Sequence, residues 1–362
     1  MPSGNGGVIA ITGANGAIGY YSALHALRNG CRVRCIVRRD SAIATIKSGP
    51  SIQEFDDRIE YAVVPDNTVP GAYDDALNGV RYVVHVAGVW PMPGYHPDRD
   101  IYDPFVKGME NILSAAEKSG TVKRIVFTQA GAGLVCPDEG DTLGTEMNNV
   151  LDEYAKVNDR SAAFRPPLKS PHHAYCGAKA YCMTHLSSPQ TRANLPFSII
   201  QIIPGTVIGP SELITSAAQA KRQMDRMSLA LLFNGMQPRY AFGFVHVLDC
   251  ARVHVEALDE EKVPEERVPD WFIAAATSKE GITAQKLWKE VGEMVEMEFG
   301  SVYQDVFCVG KSNWPVNMPF RVHSRLTEEM LMGERRFRGL EECVREVARW
   351  YIELIERESL RK

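Results

Sequence analysis

The stretch Val8-Ile9-Ala10-Ile11-Thr12, followed by Gly13-Ala14-Asn15-Gly16-Ala17-Ile18-Gly19, decides the fold. The first part is a short apolar run that predicts a buried strand. The residues Ala17–Arg28 then place apolar side chains at helical spacing, and Asn29-Gly30 stops that helix. Strand, glycine turn and helix in that order make a phosphate cradle. Glycine permits the tight turn, the close approach of a pyrophosphate and the packing of helix on sheet. The helix N-terminus adds free N–H groups and the positive end of its dipole. Thr12, Gly13, Asn15, Gly16, Ala17, Ile18 and Gly19 are therefore expected to hold a dinucleotide.

Working outward, the same rhythm repeats. Arg32–Val37, Ile59–Val63, Tyr82–Val86, Arg124–Thr128 and Phe197–Ile203 read as further strands, and Phe105–Lys118 reads as a long helix. Strands alternating with helices imply right-handed crossovers and a doubly wound parallel α/β sheet. Residues 1–205 form the expected cofactor domain. They include a polar, proline-bearing insertion at 136–171, which sits between a strand and a helix where a site or lid is usually built. After Gly209-Pro210 the alternation loosens into helices (Ala217–Phe233, Ala284–Val295, Leu340–Glu356) and short strands such as Trp271–Ala275. Residues 206–362 therefore read as a smaller C-terminal α/β substrate lobe, with about 244–275 returning to the first domain.

Composition narrows the function. The 362 residues are 45% hydrophobic and 23% charged with a net charge of −5, so there is no basic field for nucleic acid or an anionic membrane. Apolar stretches such as Pro196–Ile203 are too short to span a bilayer. Met1–Gly7 is polar and glycine-rich, without the basic start and apolar core of a signal peptide, so a cytoplasmic protein is expected. The 8 cysteines are scattered without a Cys-x-x-Cys pair, which suggests reduced thiols and no zinc. His172-His173 reads as a polar loop ahead of a helix, and no metal site is expected.

Two further signals carry chemistry. At the end of the second strand stands Val37-Arg38-Arg39-Asp40, where an acid holds two free ribose hydroxyls and a cation holds a 2′-phosphate. Two arginines ahead of the acid favour NADP(H) over NAD(H); the plain alternative is a solvated charge cluster. Tyr175-Cys-Gly-Ala-Lys179 opens a helical run through Leu186, and a separation of four puts both side chains on one face. An ammonium beside a phenol is expected to lower the phenol pKa from about 10. The tyrosine could then exchange a proton with a substrate oxygen while hydride moves at a nicotinamide.

With these residues assembled, the chain resembles the extended short-chain dehydrogenases/reductases of the Rossmann fold. Within them it is most similar to the branch of dihydroflavonol reductases, cinnamoyl-CoA reductases and microbial aldehyde (carbonyl) reductases. The matching pieces run nearly end to end. They are Thr12–Gly19, Val33-Arg34 with Arg38, Val64-Pro65-Asp66, His85-Val-Ala-Gly88, Val106-Lys-Gly108 with Asn111 and Lys123–Thr128, then Tyr175–Lys179, Pro204–Pro210 and Phe244–Asp249 with Ala251-Arg252 and His254. The resemblance implies that Asp66 contacts the adenine, Arg38 the 2′-phosphate, and Val86, Ala87 and Gly88 the length of the cofactor. It also implies that Pro204, Gly205, Thr206 and Val207 border the nicotinamide, that Tyr175 and Lys179 touch the cofactor as well as the chemistry, and that the protein is a monomer or homodimer acting on a small molecule.

One departure matters. In that family the fifth strand ends in a Phe-Thr-Ser-Ser-like run whose last serine holds the substrate carbonyl, whereas this chain reads Phe127-Thr128-Gln129-Ala130-Gly131. A methyl group cannot donate a hydrogen bond, and losing one preorganised donor costs about 10²- to 10³-fold in turnover. Three readings stay open. The first is a reductase of a largely apolar aldehyde or ketone (phenolic and polyketide-derived compounds being candidates) in which Thr128, Gln129, a water or the insertion replaces the serine. The second is non-redox proton chemistry such as cyclisation, isomerisation or dehydration, and the third is a silent NADP-binding regulator. Phe242, Phe244, His246, Met224, Met227 and Met236 are candidate pocket residues or plain packing; Cys176, Cys182, Asp249 and Arg252 read as structural.

Overall fold

The computed structural model describes residues 7–136, 148–235, 243–308 and 321–360. In chain order the first half runs β1 (Val8–Thr12), α1 (Ala17–Arg28), β2 (Arg32–Val37), α2 (Asp40–Lys47), β3 (Ile59–Val63), β4 (Val80–His85), α3 (Asp103–Ser119) and β5 (Arg124–Thr128). It continues through β6 (Val150–Leu151), α4 (Asp159–Ala162), α5 (Pro171–Ser187), α6 (Pro189–Ala193) and β7 (Ser198–Pro204). Beyond these come β8 (Thr206–Ile208), α7 (Ala217–Gln223), α8 (Arg226–Phe233), β9 (Phe244–His246), α9 (Val247–Glu256) and β10 (Phe272–Ala274). The last elements are α10 (Ala284–Val295), β11 (Arg321–Val322), α11 (Arg325–Thr327) and α12 (Leu340–Ser359).

Seven strands form one sheet in the order β10-β7-β5-β4-β1-β2-β3. β1 runs parallel to both β2 and β4, with Thr12 opposite Ile36 and His85, and β5 runs parallel to β4 and β7. The order reverses between β1 and β4, so a crevice opens at the carboxyl ends of the strands, where doubly wound sheets bind ligands. Thr12, Val37, His85 and Thr128 all end strands there. The central strands are legible as apolar runs because they are buried: Ile9 and Val33 are fully buried, and Ala10, Ile36, Val83, Ile125 and Ile199 share one core with Ile112 of α3 and Ala174, Ala178 and Leu186 of α5.

Contacts divide the chain into two compact units. One comprises Met1–Glu139, Glu153–Ile203 and Ala251–Phe272; the other comprises Gly140–Asp152, Pro204–Cys250 and Ile273–Lys362. The second unit has its own core, in which Met227, Leu231, Trp288, Phe307, Val344 and Tyr351 meet. Its small sheets are parallel pairs, β8 with β9 and β6 with β11. The single helix expected over Ala217–Phe233 is two helices. Met224 adopts an extended backbone, with φ −60° and ψ 143°, and the Asp225 carboxylate accepts the Ser228 N–H at 2.9 Å to start a second helix. His172-His173 also differs from expectation: both lie in the first turn of α5, because Pro171 occupies its first position and Ser170 caps it by accepting from the His173 N–H. Residues 137–147 of the 136–171 insertion, and the candidates Met236 and Phe242, lie outside the described residues.

Candidate active site

The glycine turn is sterically obligatory. Gly13 sits at φ +65°, and a Cβ there would lie 3.2 Å from the Ala87 Cα; at Gly19 a Cβ would come within 2.3 Å of the Gly13 carbonyl oxygen. Gly16 begins α1 without a side-chain cap and with no acidic residue in the first turn, so the helix presents bare N–H groups. Asn15, Gly16 and Ala17 are exposed at this mouth, and Ile18 is half-buried. Thr12 fixes the facing wall: its hydroxyl oxygen accepts the N–H groups of Val86 (3.1 Å) and Ala87 (3.0 Å). With both lone pairs used, the hydroxyl hydrogen goes to Nδ1 of His85, 3.0 Å away, which leaves the His85 proton on Nε2. Burial, with the Lys179 charge adding to it, holds the His85 pKa down at about 3, so this imidazole is neutral. These features fit a dinucleotide phosphate: a cradle that a Cβ would fill, beside an uncapped helix end.

Arg38, the first residue after β2, is exposed and has no hydrogen bond or ion pair among the described residues. Asp40 is the first residue of α2, where its carboxylate complements the helix dipole. A cation thus stands free at the end of β2, and the nearby acid belongs to a helix start. Asp66 lies in the exposed loop after β3, where its Oδ1 accepts the Thr68 N–H and hydroxyl at 2.8 and 2.7 Å; these bonds keep its carboxyl below the usual range.

Tyr175 and Lys179 stand one turn apart on α5, between the buried Ala174–Ala178–Cys182 stripe and the sheet ends. The Tyr175 ring is held on two sides, by Phe105 of α3 edge-on at 5.5 Å and by Trp90 at 5.7 Å. Lys179 Nζ donates to the Thr128 carbonyl at 2.8 Å and lies 4.4 Å above the Phe105 ring. Phe105 also presses on the segment after β4, since a Cβ on Gly88 would lie 2.4 Å from its ring. Burial lowers the Lys179 pKa to about 8. The expectation that the ammonium lowers the phenol is not met: burial, with a smaller contribution from Cys176, raises the Tyr175 pKa above its ordinary value. The hydroxyl is therefore a proton donor at neutral pH, and it has no hydrogen bond among the described residues.

Ala130 follows β5 in extended conformation, with φ −150° and ψ 146°, and opens a tight turn over Gly131–Gly133. That turn touches α5 so closely that a Cβ on Gly133 would lie 3.2 Å from the Ala180 nitrogen. Neither expected substitute for the family serine is free. The Thr128 hydroxyl bonds Nε2 of the buried His254 at 2.9 Å, and the Gln129 amide donates to Gln201 at 2.7 Å. Reading the sequence missed three residues of this site: Phe105, hidden as one apolar position of a helix; Trp90, in the uncharged run Val86–Tyr95; and the neutral, bonded state of His85.

Pro204 ends β7 and Thr206–Val207 begin β8 in the second unit; there Gly205 donates to the Ala274 carbonyl at 3.0 Å, and a Cβ on it would lie 2.7 Å from the Phe244 nitrogen. His246 is wholly buried, facing Glu346 at 3.0 Å and Arg338 at 2.5 Å, and Arg338 also bonds Asp249, so these residues stitch the second unit together. Among the described residues no group of histidines, cysteines or acids could hold a metal, and no helix is long and apolar enough to cross a membrane. None of the cysteines is in a disulfide; seven are buried and Cys308 is exposed. Burial raises the thiol pKa of Cys176 and of Cys182 to about 12.

The family model of NAD dependent epimerases/dehydratases matches residues 9–269. The chain belongs to that family. It is 30% identical to the NAD-dependent epimerase/dehydratase FUM13 of Gibberella moniliformis over 81% of each chain. It is also 26% identical to the ketoreductase CTB6 of Cercospora nicotianae over 97% of each. Among solved structures, yeast methylglyoxal/isovaleraldehyde reductase Gre2, complexed with NADPH, superposes with a TM-score of 0.73 at 19% identity, over 97% of this chain and 99% of the other. That last likeness establishes the shared Rossmann fold.

Proposed function

We propose that the protein is an NADP(H)-dependent reductase of largely apolar aldehydes or ketones, phenolic and polyketide-derived ones included, with Tyr175 as the acid. The observation that carries this reading is the Tyr175 hydroxyl, protonated and uncommitted, one helical turn from a buried lysine and beside the wall of a glycine cradle. The relatives named as ketoreductases and the NADPH-bound neighbour support it, and the free Arg38 supports a 2′-phosphate.

Bound NADPH would supply hydride to the carbonyl carbon and leave as NADP⁺. Tyr175 gives its proton to the carbonyl oxygen, and in the reverse direction takes one from the alcohol. Lys179, largely cationic at neutral pH, favours the phenolate left behind, and its own place is set by the Thr128 carbonyl and the Phe105 face. Thr12 holds the Val86 and Ala87 amides in line with the cradle. The methyl at Ala130 favours a second reading, proton chemistry without net redox, because no side-chain donor stands there for a developing oxyanion.

NADPH consumption against a panel of aryl aldehydes, ketoesters and polyketide-like ketones tests the choice. Turnover that Tyr175→Phe lowers by about 10²- to 10⁴-fold, with NADPH still bound, is the expected result. Product formed with no NADPH consumed would establish the second reading, and turnover that survives Tyr175→Phe would remove the tyrosine from the mechanism.

A further inference from the structure

The segment after the cofactor wall is unusual for a surface. Val86-Ala-Gly-Val-Trp-Pro-Met-Pro-Gly-Tyr95 carries no charged side chain, yet Trp90, Met92 and Tyr95 are 60%, 48% and 41% exposed. Large exposed apolar side chains that cluster mark a place for a ligand or partner. Here the place is defined from both ends. Upstream, Thr12 holds the amides of Val86 and Ala87, and Gly88 lies against Phe105. At Trp90 itself, the indole stands 5.7 Å from the Tyr175 ring at 59°, and Phe105 meets the same ring edge-on at 5.5 Å. Pro91 and Pro93 restrict the backbone that follows. The result is a largely solvent-facing indole held beside the hydroxyl that is offered as proton donor.

We infer that Trp90 is the specificity-determining residue of this site, and that its exposed face takes the π-system of a flat, uncharged aryl ketone whose carbonyl oxygen reaches Tyr175. The inference rests on the reductase reading and names its substrate class. A ketone with its oxygen at about 3 Å from the phenol places the carbons next to the carbonyl beside the indole, so a conjugated ring can stack there at about 4.5–7 Å between centroids. A saturated ring of the same size fills the space without offering a π-face. The uncharged run gives nothing to a phosphate or carboxylate, so anionic sugar-nucleotide or acyl-thioester substrates gain no partner from this wall.

The test pairs acetophenone with cyclohexyl methyl ketone, and 1-tetralone with its saturated bicyclic ketone, using NADPH as reductant in the wild type, Trp90→Phe and Trp90→Leu. Trp90→Leu should lower kcat/KM for the aryl ketones about three- to tenfold, mainly through KM. Saturated ketones should lose less, so the aryl-to-saturated ratio of kcat/KM falls, and Trp90→Phe should restore most of that ratio. Equal losses for both classes, or a wild type that prefers the saturated ketones, would overturn the assignment while leaving the reductase standing. Quenching of tryptophan fluorescence by 1-tetralone separates the two claims. Quenching that disappears in Trp90→Leu while no ketone is reduced would support the platform and sink the reductase; no quenching and no aryl preference sinks the platform.

Discussion

Two threonines end two strands of the same sheet, and each is bonded to a buried histidine: Thr12 to His85 at 3.0 Å and Thr128 to His254 at 2.9 Å. What the two pairs carry differs. Thr12 uses its hydroxyl to hold the Val86 and Ala87 amides, so the side chain fixes the backbone that faces the glycine turn. Thr128 lends only its carbonyl, which accepts from Lys179, while its hydroxyl is turned to His254. The first strand end is thus organised by side-chain chemistry acting on backbone, the second by backbone acting on a side chain. The lesson is that a hydroxyl at the right place in sequence is not a donor at the right place in space. Position 128 has the hydroxyl and position 130, where the family serine belongs, has a methyl.

The largest effect is expected where that contrast is sharpest. Ala130 is partly exposed and extended, so a serine fits its backbone without strain. Ala130→Ser should raise reductase turnover, by up to about 10²-fold if the new hydroxyl meets the substrate oxygen. Unchanged or reduced turnover would show that the site obtains its second donor elsewhere or does other chemistry. On the Thr12 side, Arg38→Gln should weaken NADPH binding about 10- to 10²-fold, the worth of a charge-assisted hydrogen bond, and leave NADH binding nearly unchanged. Parallel losses for the two coenzymes would assign Arg38 to general charge rather than to a 2′-phosphate.

How much of this was legible follows from how local each cause is. β1, β2, β3 and β5 stand where the sequence places them: β1 is apolar from Val8 to Ile11 because it is buried on both faces, and the charged members of the others are paired, Arg34 with Glu60 and Arg124 with Ser198. The glycine turn is legible because the clash partners for Gly19, Gly13 and Ala14, lie within six residues of it. Tyr175 and Lys179 share a face by helical spacing alone, which needs no tertiary information. The state of the phenol is not local: its burial comes from Phe105 and Trp90, far away in the chain, and these overrule the neighbouring cation. His254, 126 residues from Thr128, is equally out of reach of any spacing rule. The break at Met224 was within reach. Apolar periodicity carries on across it, but Asp225 followed by Ser228 is a cap, and local capping wins over a continued stripe.

The smallest effects come from the threonines themselves, and they test the comparison directly. Thr12→Val keeps the shape but removes the acceptor for two amides and the donor to His85, which should destabilise the protein by about 1–3 kcal/mol and loosen NADPH binding as the Val86–Gly88 wall shifts. Thr128→Val removes one bond, to His254, at a similar cost in stability, but leaves the carbonyl that holds Lys179 in place. NADPH affinity and turnover of Thr128→Val should therefore stay within about threefold of wild type once the variant is folded, since no preorganised donor to the substrate is lost. Thermal unfolding, coenzyme titration and kcat on the same preparations separate these outcomes. A drop in turnover of about 10²-fold in Thr128→Val, with stability and NADPH binding preserved, would mean that this hydroxyl leaves His254 during the reaction and serves as the missing serine.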